Sequence, residues 1–183
     1  MKLKSFIFLI AAILLLAASA GAEDAGHLQI RKQAQKAYTN GNWQDAFGLY
    51  RQLSLEMQND PKRVGTDFTQ AWQCLRQLNR LTELDAFREN VIQRHADNWR
   101  LMQDAARSYS QNTHGGYMVA GEFHRGHHRG GGKYVNAIAR DRIRALQLMQ
   151  QSMGPADADP AKSEAAQFYL QFAGFIQQQR GAN

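Results

Sequence analysis

From Leu28 onward apolar residues recur every three or four positions, and they do so in paired segments. Ile30, Ala34 and Ala37 mark one face that ends at Tyr38; the turn Thr39-Asn40-Gly41-Asn42 follows, and then Trp43, Ala46, Tyr50, Leu53 and Met57 recur with Phe47 beside them. Two amphipathic helices joined by so short a turn bury their stripes by folding back on each other. Asp60-Pro61 closes this unit. A second pair follows, with Phe68, Ala71, Trp72, Leu75 and Leu78 on one helix and Leu84, Phe87, Val91 and His95 on the next. The third opens at Asn98, whose side chain suits an N-cap, and carries Trp99, Met102, Ala106 and Tyr109. Its partner starts only after Asn136, with Ala139, Ile143, Leu146, Met149 and Met153 as the expected inner face. Gly154-Pro155 and Asp157-Ala158-Asp159-Pro160 read as a linker, and a closing helix carries Ala165, Phe168, Phe172, Phe175 and Gln179 in one row. So aromatic a row is expected to cap the open end of the stack.

The first two units share local wording. Gln44-Asp45-Ala46-Phe47 and Leu84-Asp85-Ala86-Phe87 lie 40 residues apart, which places Ala34 against Cys74 and makes Ala46 and Ala86 equivalent small residues at helix contacts. The fold class expected is all-α, a stack of helical hairpins over residues 23–183.

Between the third pair of helices runs an insert, residues 112–135, that breaks the pattern. It holds seven glycines (115, 116, 121, 126, 130, 131 and 132), which no helix tolerates in that density. Tyr117-Met118-Val119-Ala120 and Lys133-Tyr134-Val135 on its flanks are strand-like and expected to pair as a small hairpin that packs on the helices. Connections this long within a compact domain are usually functional or disordered.

The insert also concentrates the chemistry. His114, His124, His127 and His128, with Glu122 nearby, are residue types that zinc or copper accepts, but Arg125 and Arg129 are interleaved and oppose a divalent cation. An anion or carboxylate suits the set Arg125, Arg129, Lys133, His124, His127 and His128 better. Arginine offers a planar fork, consecutive glycines free backbone N–H groups, and the following helix points its positive end at the insert. A second reading has Arg125 and Arg129 pairing with acidic groups of the domain itself and pinning the insert down.

Composition refines the setting. Lys2 and Lys4 precede an uncharged, largely apolar run that ends at Ala20-Gly21-Ala22, the pattern of a secretory signal peptide over residues 1–22, with an uncleaved anchor as the alternative. The expected location is periplasmic or secreted, with the membrane touched only through that segment. A formal net charge of +6 that includes those two lysines is too mild for a nucleic-acid footprint. The one cysteine, Cys74, cannot form an internal disulfide, so packing alone must hold the domain. The sequence has no His-Glu-x-x-His, no Gly-x-Ser-x-Gly and no phosphate-cradling loop, and neither catalysis nor a cofactor is expected.

Ala34, Ala37-Tyr38, Gly41-Asn42-Trp43-Gln44-Asp45-Ala46, Tyr50 and Leu53 resemble a tetratricopeptide unit, although the offset of 40 exceeds that family's usual 34 and Leu81 stands where a turn glycine is expected. Residues 115–153, including Glu122-Phe123-His124-Arg125-Gly126-His127-His128-Arg129 and Arg140-Asp141-Arg142, resemble a helical region near the start of bacterial alpha-2-macroglobulin-like exported proteins. Those proteins carry a long β-sandwich array and trap proteases; neither the array nor a Cys-Gly-Glu-Gln thioester motif occurs in this sequence. The resemblance implies a leader region or a truncated relative. The function expected is an exported, non-catalytic interaction module whose partner is another envelope or secreted protein or an acidic envelope polymer. The alternative is a metal-binding protein or small metal-dependent enzyme built on the histidines.

Overall fold

A computed structural model describes residues 25–177. The expected signal peptide and the position of Gln179 lie outside the described residues. Within them run α1 (25–39), α2 (Trp43–Leu55), α3 (Val64–Gln77), α4 (Leu84–Arg94), α5 (Trp99–Gln111), β1 (Gly115–Val119), β2 (Glu122–Arg125), β3 (Lys133–Asn136), α6 (Ile138–Ala158) and α7 (Lys162–Gln177). No helix among the described residues is long and apolar enough to cross a membrane.

The hairpin turns follow from backbone chemistry. After α1, Gly41 takes φ +77°, its N–H donates to the Tyr38 carbonyl, and the Asn42 N–H donates to that of Ala37. This is a Schellman cap, in which a left-handed residue satisfies the last free carbonyls. After α3 the same pattern recurs with Asn79 at φ 55°, as the N–H groups of Asn79 and Arg80 donate to the Arg76 and Leu75 carbonyls. The second turn therefore needs no glycine at Leu81, because asparagine tolerates the left-handed region two residues earlier.

The helix faces correct the expected repeat. Gly41 and Asn79 are 38 residues apart, and so are the buried pairs Ala46 and Leu84, Tyr50 and Arg88, Leu53 and Val91, Ser54 and Ile92. The 40-residue offset of the Asp-Ala-Phe wording is thus displaced from the structural register. Ala46 is buried but Ala86 is exposed. Between α3 and α5 the match tightens: every buried residue of α5 lies 34 positions after a buried residue of α3, among them Met102 after Phe68, Ala105 after Ala71 and Tyr109 after Leu75.

The core joins these faces. Phe87 of α4 meets Phe47 of α2 at 5.8 Å and Phe68 of α3 at 5.7 Å between ring centroids, while Trp99 of α5 meets Phe168 of α7 at 5.7 Å. Cys74 is fully buried in α3, and burial pushes its thiol pKa up to about 11. The buried His95 ring donates from Nε2 to the Ser54 carbonyl at 3.0 Å, tying the end of α4 to α2. Asn98 caps α5, accepting from the N–H groups of Arg100 and Leu101.

Two expectations in the C-terminal half, and one at the end of α2, are overturned. Ala139, Ile143 and Met153 are exposed, and the face that α6 buries is Asp141, Ala145, Leu148, Met149, Ser152 and Ala156. The face is turned because it carries a buried carboxylate that a hydrophobicity pattern counts as surface. The expected linker at Gly154-Pro155 is the end of α6 instead. Pro155 is exposed in the last turn, where the ring points to solvent, and Ala156 beyond it packs in the core. Met57 lies past the end of α2 and is exposed.

Candidate functional site at the insert

The insert is a three-stranded antiparallel sheet in the order β2-β1-β3, occupying the turn between α5 and α6. The expected pairing of the flanking strands is present, with Tyr117 opposite Tyr134, but β2 was missing from the expectation. Ala120 and Gly121 join β1 to β2 with φ 50° and 88°; two successive positive φ values make the tight hairpin turn whose twist matches the strands. Gly116 is required at the centre, since a Cβ there would meet the Phe123 ring at 2.6 Å. At the return to β3, Gly132 has φ 106° and a Cβ would lie 2.6 Å from the Met118 carbonyl oxygen.

Alternation divides the sheet into two faces. The inner face carries Met118, Phe123 and Arg125. Arg125, expected outside as a partner contact, is the correction with most consequence: it is 1 % exposed and lies beneath the sheet. Its guanidinium donates to Asp85 of α4 from Nε at 2.9 Å and Nη2 at 3.1 Å, to Asp141 of α6 from Nη1 at 2.8 Å and Nη2 at 2.9 Å, and to the Thr113 carbonyl. Two carboxylates grip one planar fork, the geometry that arginine supplies and lysine does not. Phe123 is flanked by Arg125 at 5.4 Å and Arg140 at 4.3 Å from its ring centroid.

The network continues along the helices. His114 Nδ1 lies 2.9 Å from Asp141, and Arg140 bridges Asp85 and Asp141. The wholly buried Arg88 pairs with Asp85 and lies 3.3 Å over the Tyr109 ring. Tyr109 donates its hydroxyl to Glu89, which Arg144 also grips at 2.6 Å. Burial raises the pKa of Asp141, yet the hydrogen bonds from Arg125 and His114 prevail and hold it at about 2. Asp85 and Glu89 are likewise lowered, as burial is outweighed by Arg125 for the first and by Arg144 and Tyr109 for the second. Burial pushes Tyr109 up to about 12. All three carboxylates are therefore charged at neutral pH, and they neutralise guanidinium groups that a buried site could not otherwise hold. Above Tyr109 the ion pairs border a cleft of about 650 Å³ between α4 and α6.

Comparison with family models, with curated proteins and with solved structures finds no match.

The outer face carries Tyr117, His124 and Tyr134 in a row across the strands, with Tyr134 62 % exposed. The Tyr117 and Tyr134 rings meet edge to face at 5.8 Å, and His128 folds back to stack on His124 at 4.9 Å. His127 and Arg129 are exposed in the connecting loop, and Lys133 is exposed at the rim, on the opposite side of its strand from Tyr134. The six residues expected to share one anion site are thus divided among the inner face, the outer face and the rim. The alternative metal set is divided too, because His114 is bound to Asp141 beneath the sheet while His124 and His128 lie on top of it. Among the described residues no group of three or more His, Cys, Asp and Glu side chains could hold a metal ion. Asp85, Arg88, Glu89 and Asp141 escaped the sequence reading, and the one available signal was Arg-Asp-Arg at 140–142, an acid between two bases at the start of a helix.

Proposed function

We propose that this chain is an exported, non-catalytic interaction module, a tetratricopeptide-like stack that presents the three-stranded insert to a partner outside the cytoplasm. The observation that carries this reading is the division of labour between two arginines four residues apart. Arg125 fastens the sheet to α4 and α6, whereas Arg129, like Lys133, forms no side-chain hydrogen bond or ion pair among the described residues. A rigidly held, cation-rimmed surface with unspent donors suits capture of an acidic group on another envelope or secreted protein or on an envelope polymer. The 34-residue register between α3 and α5 supports the tetratricopeptide-like stacking, since that is the spacing of such units. The resemblance of residues 115–153 to the helical region of alpha-2-macroglobulin-like proteins supports a leader region or truncated relative of such proteins, acting through contacts rather than protease trapping.

The test replaces Arg129 and Lys133 together by alanine. Melting should stay near that of the parent, because exposed charges contribute only about 0–1 kcal/mol to folding, and capture of the partner from an envelope extract should fall at least tenfold. Unchanged capture would refute the insert as the recognition element.

A further inference from the structure

The sheet has one covered edge and one open one. β2 lies along the short 3-10 turn Leu81–Glu83, where a Cβ on Gly126 would sit 3.4 Å from Leu81. β3 is the other outer strand. The hydrogen bond from Ala137 N–H to the His114 carbonyl at 2.8 Å sets the phase of the β1–β3 ladder. Antiparallel partners alternate between bonded and non-bonded pairs. Given the register Gly116 opposite Val135 and Met118 opposite Lys133, the peptide groups of Lys133, Val135 and Ala137 face β1. Those of Tyr134 and Asn136 face outward, with no strand beside them among the described residues.

Natural sheets block such an edge with proline, bulges or several charges, and here Lys133 is the one charged residue on it. The surroundings are cationic: Lys133 and Arg129 are exposed, Arg140 is about half exposed, and the N-terminal end of the 21-residue α6 begins two residues after β3. Alternating outward N–H and C=O groups fit a polypeptide backbone, and the positive rim disfavours a second copy of the same edge.

We propose that an extended, acidic segment of a partner protein adds to this sheet as a fourth strand along β3. The proposal rests on the insert being the recognition element and specifies how it recognises. Antiparallel addition would pair the segment's backbone with Tyr134 and Asn136, set an apolar or aromatic residue beside Tyr134, and bring a carboxylate to Lys133.

The test uses a fluorescently labelled peptide, Thr-Val-Tyr-Val-Glu-Glu, with bound fraction read by anisotropy against the full chain. Tyr134→Pro removes an outward N–H and leaves the inward ones, a change that an edge strand accepts; it should weaken binding at least tenfold without moving the melting temperature, while Tyr134→Phe binds like the parent. The same peptide N-methylated at alternate amides should lose binding on the parent, a readout that survives even if the proline variant misfolds. Lys133→Glu should switch preference to Thr-Val-Tyr-Val-Lys-Lys. Equal binding by the N-methylated peptide or by a folded Tyr134→Pro variant overturns strand addition, as does failure of the peptide to bind at all. Concentration-dependent dimerisation abolished by Tyr134→Pro would overturn the occupant in favour of a second copy. If partner capture needs Arg129 and Lys133 but ignores Tyr134→Pro, strand addition alone fails; if it ignores all three, the recognition role of the insert fails with it.

Discussion

The helical stack and the insert are held by different forces. Around α3 and α5 the buried surface is mainly apolar and interlocking, with Phe68, Ala71, Trp72 and Leu75 repeated in register by Met102, Ala105, Ala106 and Tyr109, and with Asp67 and Ser108 as its buried polar members. The sheet is rich in glycine and has little apolar surface to bury, so its attachment runs through one guanidinium and two carboxylates. Packing of the first kind is graded and depends little on charge. Attachment of the second kind is concentrated in one residue and depends on charge.

The largest effect expected follows from that concentration. Arg125→Ala leaves the buried Asp141 and the partly buried Asp85 with only the half-exposed Arg140 as a shared partner, and breaking a buried pair in this way costs roughly 3–5 kcal/mol. Thermal unfolding should show the loss, and Phe68→Ala in the stack should match it at about 3–5 kcal/mol through a cavity instead. Amide exchange separates the two: Arg125→Ala should expose β1 to β3 first, whereas Phe68→Ala should loosen α3 and α5. Equal protection of the sheet in both variants would remove the distinction.

Acid should break the insert before the stack. Asp141 has a folded pKa of about 2, and Asp85 and Glu89 are lowered as well, so their stabilisation is complete above the unfolded carboxylate range near 4 and is lost as pH falls through the folded values. Sheet amides followed by exchange between about pH 4 and 2 should lose protection ahead of α3 and α5. His95 adds a milder trend: burial lowers its folded pKa, so its contribution is present above the unfolded value near 6.5 and declines as pH drops below it.

A smaller effect sharpens the geometry. Gly116→Ala forces Phe123 or the β2 backbone aside and should destabilise by about 1–3 kcal/mol, whereas Gly121→Asn at the open left-handed turn should be tolerated. The smallest effect, that at Ala86, tests the register against Ala46. Ala46→Arg at a fully buried contact should be severe, while Ala86→Arg on the exposed side of α4 should stay within about 0.5 kcal/mol. Similar melting curves for the two arginine variants would restore the 40-residue alignment.

These contrasts mark what the sequence could convey. Helix pairing, the Asn98 cap, the glycine turn at position 41 and the position of the insert were legible because each depends on near neighbours. The phase of α6 was not, because Asp141 and Ser152 are polar residues on a buried face: Arg125, the partner of Asp141, comes from another element, and Ser152 donates to the Leu148 carbonyl of its own helix. The same long-range pairing placed Arg125 inside: an arginine among glycines and histidines reads as surface until the acids on α4 and α6 are brought to it. Strand β2 was hidden for a related reason, as Glu-Phe-His-Arg has a weak strand pattern alone and gains it from the Ala120-Gly121 turn.

Cys74 gives the stack an internal clock. A thiol wholly enclosed in α3, with its pKa near 11, is almost never a thiolate at neutral pH and cannot meet a reagent unless the helices part. Its labelling rate in the intact protein therefore counts openings of the α1 to α3 region one molecule at a time. Because the insert docks on α4 and α6, a variant that frees the sheet alone would leave that count unchanged, while one that loosens the stack would speed it.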